Sequence, residues 1–267
     1  MKFSFMSFST PQQSLGEMLQ TATNYGYEGI EPRTDSKHAH GIEVQANSAT
    51  RQQIGQQCAA AGIEIACLAT SCEFADPRDS NQQVEQARQQ IDLAADIGCS
   101  RLRVFGGKCG KDIDRTQAIE LVSNAFGNLA PHAAERGVVV CMETHDDWTD
   151  PVHVANVMQR VDHPAIAVNW DAVHPVRNSG STFEQSYELL RPWIQHVHVH
   201  DALNTLDRFQ FMALGCGDFD HRQILQILKN GGYDGYLSGE WIDWEPPSTH
   251  LPRELKTLKE YLAQLDA

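Results

Sequence analysis

Paired cysteines, clustered basic residues and long apolar runs are what this sequence is short of, and each shortage removes a class of protein. Its seven cysteines (Cys58, Cys67, Cys72, Cys99, Cys109, Cys141 and Cys216) are odd in number, scattered, and never form a C-x-x-C pair. Reduced thiols packed in a cytoplasmic protein are the expectation. Lysine and arginine total 21 against 35 acidic residues, a formal net charge of −14. Gripping a phosphate backbone takes clustered cations, so nucleic acid is not an expected partner. No run approaches the length of a membrane-spanning helix, and MKFSFMSFSTP lacks a long apolar stretch before a small-residue cleavage site. Neither a membrane partner nor a signal peptide is therefore expected. A Walker-type phosphate loop is also missing, which argues against a nucleotide. No low-complexity linker or charge block divides the 267 residues.

What is present is a rhythm. A short β-rich run, a polar turn and an amphipathic helical stretch recur along the chain. The strand candidates are residues 2–8, 27–31, 63–70, 101–105, 138–143, 165–170, 195–200 and 236–241. Helical stretches such as SLGEMLQTATNYG and VEQARQQIDLAADIG lie between them. Several end at a glycine suited to the left-handed position after a helix: Gly26, Gly62, Gly98 and Gly137. Eight βα units in ~250 residues predict a single (β/α)₈ TIM barrel spanning residues 1–267. A doubly wound open sheet is disfavoured, because no G-x-G-x-x-G follows the first strand.

A barrel of this kind places its chemistry at the C-terminal ends of the strands. The fifth strand candidate ends at Glu143, the sixth leads into Asp171 and His174, the seventh reads HVHVHD, and the eighth ends at Glu240. Glu143, Asp171, one strand-seven histidine and Glu240 thus form a set of three carboxylates and one imidazole. Carboxylates converging without a cation repel one another. A divalent ion offsets that charge, and such a donor set suits Mn²⁺, Mg²⁺, Co²⁺, Fe²⁺ or Zn²⁺. Alternation along a strand puts His196, His198 and His200 on one face, with His196 deepest and His200 nearest the rim.

The order ME-T, NWDxxHP, HVHVxD, LGxGDxD and GEW resembles the xylose isomerase-like family of TIM barrels. The likeness is to its sugar isomerase and epimerase branch, with the ketose 3-epimerases, hydroxypyruvate isomerases and inosose-processing enzymes, and it spans nearly the whole chain. The resemblance implies one divalent metal ion on Glu143, Asp171, His198 and Glu240, and Glu143 and Glu240 as proton-transfer groups. It implies a substrate-binding role for His174. His196 is expected to fix a ligand by hydrogen bonding, and His200 to reach toward substrate. The implied reaction removes a proton beside a metal-polarised carbonyl of a small sugar or hydroxy-carbonyl compound, forming an enediolate. Oligomers are common in the family, so a homo-oligomer is a possible assembly.

The sequence also departs from the ketose 3-epimerase pattern. Thr149 stands where those enzymes carry a second Glu, Asn204 where they carry an Arg (Arg208 lies nearby), and Cys216 turns LGEG into LGCG. Further substrate-binding candidates are Glu31 and Arg33 after the second strand, with His38 and His40 beyond, and Arg103 on the fourth; Trp148, Trp241 and Trp244 are candidates to line a pocket. Three rivals remain. A metal-dependent lyase or dehydratase acting on a keto sugar or inosose begins with the same proton abstraction. An abasic-site endonuclease needs extra histidines on strands three and four, which ATSCEF and RVFGG do not supply. A non-enzymatic sugar-binding barrel has no need of glutamates on both strands five and eight.

Overall fold

The computed structural model describes residues 1–205 and 209–265. Among them, a parallel barrel sheet comprises β1 (Lys2–Met6), β2 (Gly29–Glu31), β3 (Glu64–Ile65), β4 (Leu68–Ala69), β5 (Arg101–Phe105), β6 (Val139–Glu143), β7 (Ile166–Asp171) and β8 (Ile194–Val199). A separate antiparallel hairpin, β9 (Asp201–Asn204) with β10 (Phe209–Met212), follows, and β11 (Tyr236–Gly239) returns to the barrel. The barrel order is β3-β2-β1-β11-β8-β7-β6-β5-β4. Helices α1 (Leu15–Tyr25), α2 (Ser48–Ala61), α3 (Ser80–Asp96), α4 (Arg115–Arg136), α5 (Pro151–Val161), α6 (Val173–Ser179), α7 (Phe183–Leu190), α8 (His221–Asn230) and α9 (Pro247–Leu265) connect the strands. This is a single (β/α)₈ barrel, as the βα rhythm predicts.

The third strand differs from the continuous run expected over 63–70. It bends at Ala66 and Cys67, so that β3 pairs with β2 while β4 pairs with β5. The two halves are one barrel strand serving two neighbours in turn. Ala66 N–H donates to Ile30 O at 2.9 Å, Ala69 N–H to Pro32 O at 2.9 Å, and Arg33 bridges Ala69, which closes the ring.

Local chemistry sets the helix ends. Ser14 with Glu17, Asp114 with Gln117, and Thr182 with Gln185 form capping boxes that satisfy the first free N–H groups of α1, α4 and α7. Gly26, Gly62 and Gly137 end α1, α2 and α4 in the left-handed conformation, which costs glycine no Cβ clash. At α3 the cap is Ile97, and the left-handed turn falls one residue later on Gly98. The hydrophobic core lies between sheet and helices. Val197 and Val199 belong to it, and Trp170 donates from Nε1 to Ser186 Oγ of α7 at 2.9 Å. The alternate residues of the same strands therefore point into the lumen.

Candidate metal centre and cavity

The lumen is polar where the strands end. β2 and β8 share no hydrogen-bonded edge, yet Glu31 reaches both His196 and His198, so all three lie inside the barrel. His196 Nε2 is 2.8 Å from Glu31 Oε2, and His198 Nε2 is 3.0 Å from Glu31 Oε1. The other nitrogen of His198, Nδ1, is 2.8 Å from Glu143 Oε1 and 3.3 Å from Glu240 Oε2. Register brings Asp171 directly opposite His198 on β7. Asp171 Oδ1 accepts the backbone N–H groups of Val173 and His174 at 2.9 and 3.2 Å, and Oδ2 lies 2.8 Å from His200 Nε2.

One donor atom each from Glu143, Asp171, His198 and Glu240 lies within 4.8 Å of the others. Ligands on opposite sides of a divalent ion at about 2.2 Å stand about 4.4 Å apart, so these four can share one coordination sphere. Glu143, Asp171 and His198 are essentially inaccessible, while Glu240 keeps 8% of its surface.

Charge decides what the cluster wants. Burial raises a carboxyl's pKa, but at Glu143 the neighbouring His198 and Arg103 outweigh it and hold the group at about 2. The same contest, burial against His200 and His174, leaves Asp171 well below the usual carboxylate range. At Glu31 it is burial against His198 and His196, with the same outcome. Burial disfavours a charged imidazole, yet Glu31, Glu143 and Glu240 push His198 well above its ordinary value. The carboxylates therefore draw positive charge to the position they surround. Glu143 Oε2 is buried without a hydrogen bond and has only the flank of Arg103, Nε at 3.2 Å, beside it. An oxygen-rich donor set with one imidazole and one orphaned carboxylate oxygen fits a divalent ion.

Toward the strand ends opens a cavity of about 390 Å³ whose lining includes Glu240, His145, His174, His200, Phe209 and Phe211. The hairpin supplies the two phenylalanines. Phe209 packs edge-on to His200 with ring centroids 5.2 Å apart, and its centroid is 6.1 Å from that of His174. Burial keeps His174 below its ordinary pKa despite Asp171. Burial also opposes charge on His145, but Asp146 and Glu143 push its pKa up to about 9.

The other expected residues are placed as follows. Glu31 lies beneath the carboxylate cluster, not in a loop above it. Arg33 is buried, with Nη1 on Thr34 O and Nη2 on Ser71 Oγ. Burial and the nearby Arg103 lower its pKa to about 10. Arg103 donates to Thr70 O at 2.8 Å and lies over the Phe105 ring. His38 bonds Ser7 Oγ and packs against the buried His40. Trp148 and Trp241 are buried in the core, and Trp244 packs between Phe211 and Trp241. Cys216 is exposed, and Arg208 lies outside the described residues.

Sequence reasoning passed over His145, although METHDD contains it. β6 ends at Glu143, and a tight turn about Thr144 follows, in which His145 N–H donates to Glu143 O at 2.9 Å. That turn, which strand periodicity does not reveal, brings His145 to the cavity wall.

A family model described as a xylose isomerase-like TIM barrel matches residues 19–261. The chain is 28% identical over 279 residues to a 3-dehydroshikimate dehydratase of Bacillus anthracis, covering 97% of this chain and 96% of that protein. It is 20% identical over 190 residues to a putative hydroxypyruvate isomerase of Xenopus laevis, with 67% and 66% covered. The crystal structure of the probable 3-DHS dehydratase from Bacillus anthracis superposes with a TM-score of 0.80 at 25% identity, covering 97% of this chain and 99% of that one.

Proposed function

The chain belongs to the xylose isomerase-like TIM barrel family, and we propose that it is an enzyme removing a proton beside the carbonyl of a small hydroxy-carbonyl compound, with one divalent ion on Glu143, Asp171, His198 and Glu240. The observation that carries this is the convergence of four donors from successive strand ends within 4.8 Å of one another, beside an open cavity. When bound, the ion supplies Lewis-acid polarisation of the substrate oxygens.

The protein's own groups divide the remaining work. Glu240 lines the cavity while Glu143 lies beneath it, so Glu240 is the carboxylate offered to a substrate C–H. Glu143 holds the floor of the site through His198 and Arg103. His145, 3.2 Å from Asp146 and on the cavity wall, is placed to give a proton to a departing or developing oxygen. Neutral His174 and the His200–Asp171 pair orient hydroxyls at the cavity wall, and the phenylalanines of the hairpin exclude water.

Two outcomes share that first step. In isomerisation or epimerisation the proton returns to carbon. In dehydration the β-hydroxyl leaves with a proton from the acid, and one water is lost. The full-length similarity to a 3-dehydroshikimate dehydratase, with His145 on the cavity wall where an acid is needed, favours dehydration of a keto-hydroxy ring compound. Isomerisation is the second reading, favoured by the similarity to a hydroxypyruvate isomerase. Incubating the metal-loaded protein with 3-dehydroshikimate, inososes, ketoses and hydroxypyruvate tests both: a product lighter by one water supports the lyase, and a product of equal mass supports the isomerase. Turnover of none of them refutes this substrate class. The variant Glu240→Gln is expected to lose at least about 100-fold in kcat, and unchanged turnover would remove Glu240 from the chemistry.

A further inference from the structure

We infer that Glu31 is a positioning residue that fixes the tautomer of His198, so that Nδ1 and not Nε2 is the nitrogen offered to the divalent ion. The inference rests on the metal centre proposed above. A neutral imidazole carries one N–H donor and one lone pair, and only the lone pair binds metal. Nδ1 of His198 faces Glu143 and Glu240 at 2.8 and 3.3 Å, while Nε2 faces Glu31 Oε1 at 3.0 Å. With the proton on Nε2, Glu31 accepts it and Nδ1 is left free toward the cluster. Glu31 cannot turn away: it is fully buried on β2, a strand hydrogen-bonded to β1 and β3, and its second oxygen is 2.8 Å from His196 Nε2. His196 thereby locks the lock.

Other neighbours do not make the choice. Asn169 Nδ2 is 3.2 Å from each ring nitrogen of His198 and so favours neither. Glu31, His196 and His198 could themselves be read as a second ion site, since their donor atoms also lie within 4.8 Å of one another. That set offers one carboxylate, against three on the Nδ1 side, and Nε2 of His198 has no lone pair in the tautomer that serves the four-residue site. A carboxylate behind a ligating histidine is the usual way such a ring is oriented and made more basic, and removing it costs about 10- to 100-fold in metal affinity.

The test uses the full chain stripped of metal by chelator, as wild type and as Glu31→Gln. Glutamine fills the same space but can accept from only one imidazole. Calorimetric titration with Zn²⁺ and Mn²⁺ is expected to show one ion per wild-type chain and about 10- to 100-fold weaker binding to E31Q. If E31Q does not fold, ¹⁵N-histidine spectra of the wild type decide: Zn²⁺ is expected to shift Nδ1 of His198 while Nε2 keeps its proton. Equal affinity in E31Q, coordination through Nε2, or two ions per chain would overturn the inference and leave the four-residue centre standing. A wild type that binds neither ion would sink the centre itself.

Discussion

His40 and His250 are not among the residues that line the cavity. Burial pushes each imidazole down to about 4, with His38 adding to the effect at His40 and Arg253 at His250. In the unfolded chain both take a proton near pH 6.5, whereas the folded chain refuses it until about pH 4. Stability contributed by these neutral rings is therefore present above pH 6.5 and is lost as pH falls toward 4. Each histidine adds a slope of up to about 1.4 kcal/mol per pH unit across that window. Between pH 7 and ~4.5 the urea midpoint of wild type is expected to fall more steeply than that of His250→Phe, because the variant lacks one ring that takes up a proton on unfolding. Parallel curves would show that His250 charges freely in the fold. At this same scale, the period of HVHVHD is enough to put three histidines on one face. It says nothing about their partner, because Glu31 sits 165 residues from His196 and its depth depends on how β2 is staggered against β1. The rule that strand ends carry chemistry treats Glu31 as a rim residue. The stagger of the barrel makes it part of the floor.

Elements were legible where each carries its own punctuation. Capping residues and terminal glycines mark α1, α2 and α4 in the chain itself. The β9–β10 hairpin has no such mark: its pairing is antiparallel, its strands are four residues each, and only FQFM alternates. What holds it is Asp201, whose carboxylate accepts the backbone N–H groups of Ala202, Gly215 and Gly217 at 2.9 Å each. This gives LGCGDFD a backbone reason for its second glycine, since a Cβ at Gly217 would stand 2.2 Å from Asp201 Oδ1 and 2.6 Å from Ala202 O. Replacing Asp201 with Ala strands several donors in a region that is largely buried, and a loss of roughly 3 kcal/mol in unfolding free energy is expected from urea titration. A loss under about 0.5 kcal/mol, typical of a surface substitution, would mean water takes over those bonds.

For the whole molecule, eight βα repeats identify the architecture because each unit is locally complete. The broken third strand is a property of closure, visible only once β2 and β5 are both present to compete for its edges. The proposed centre couples closure to stability. Four strands each bring one acidic or imidazole donor to a shared point, and a cation there ties β6, β7, β8 and the end of β11 together. An ion at 100 times its Kd stabilises the folded state by about 2.7 kcal/mol. For a chain of this length that corresponds to a rise of about 5 °C in thermal midpoint. A scan with excess Mn²⁺ or Zn²⁺ against one with chelator checks it, and identical midpoints would argue that no such ion is bound.

The hairpin does not hang from a separate loop. β8 delivers His198, passes through His200 and continues at Asp201 into the first arm of the hairpin. One continuous length of backbone thus carries the proposed ligand His198 at its lower end and leads at its upper end into the hairpin that lines the cavity. His200, 2.8 Å from Asp171, marks where one role passes into the other. The cavity wall and the proposed ligand position are therefore carried by one backbone segment, so their spacing is set by the chain itself and not by packing between separate elements.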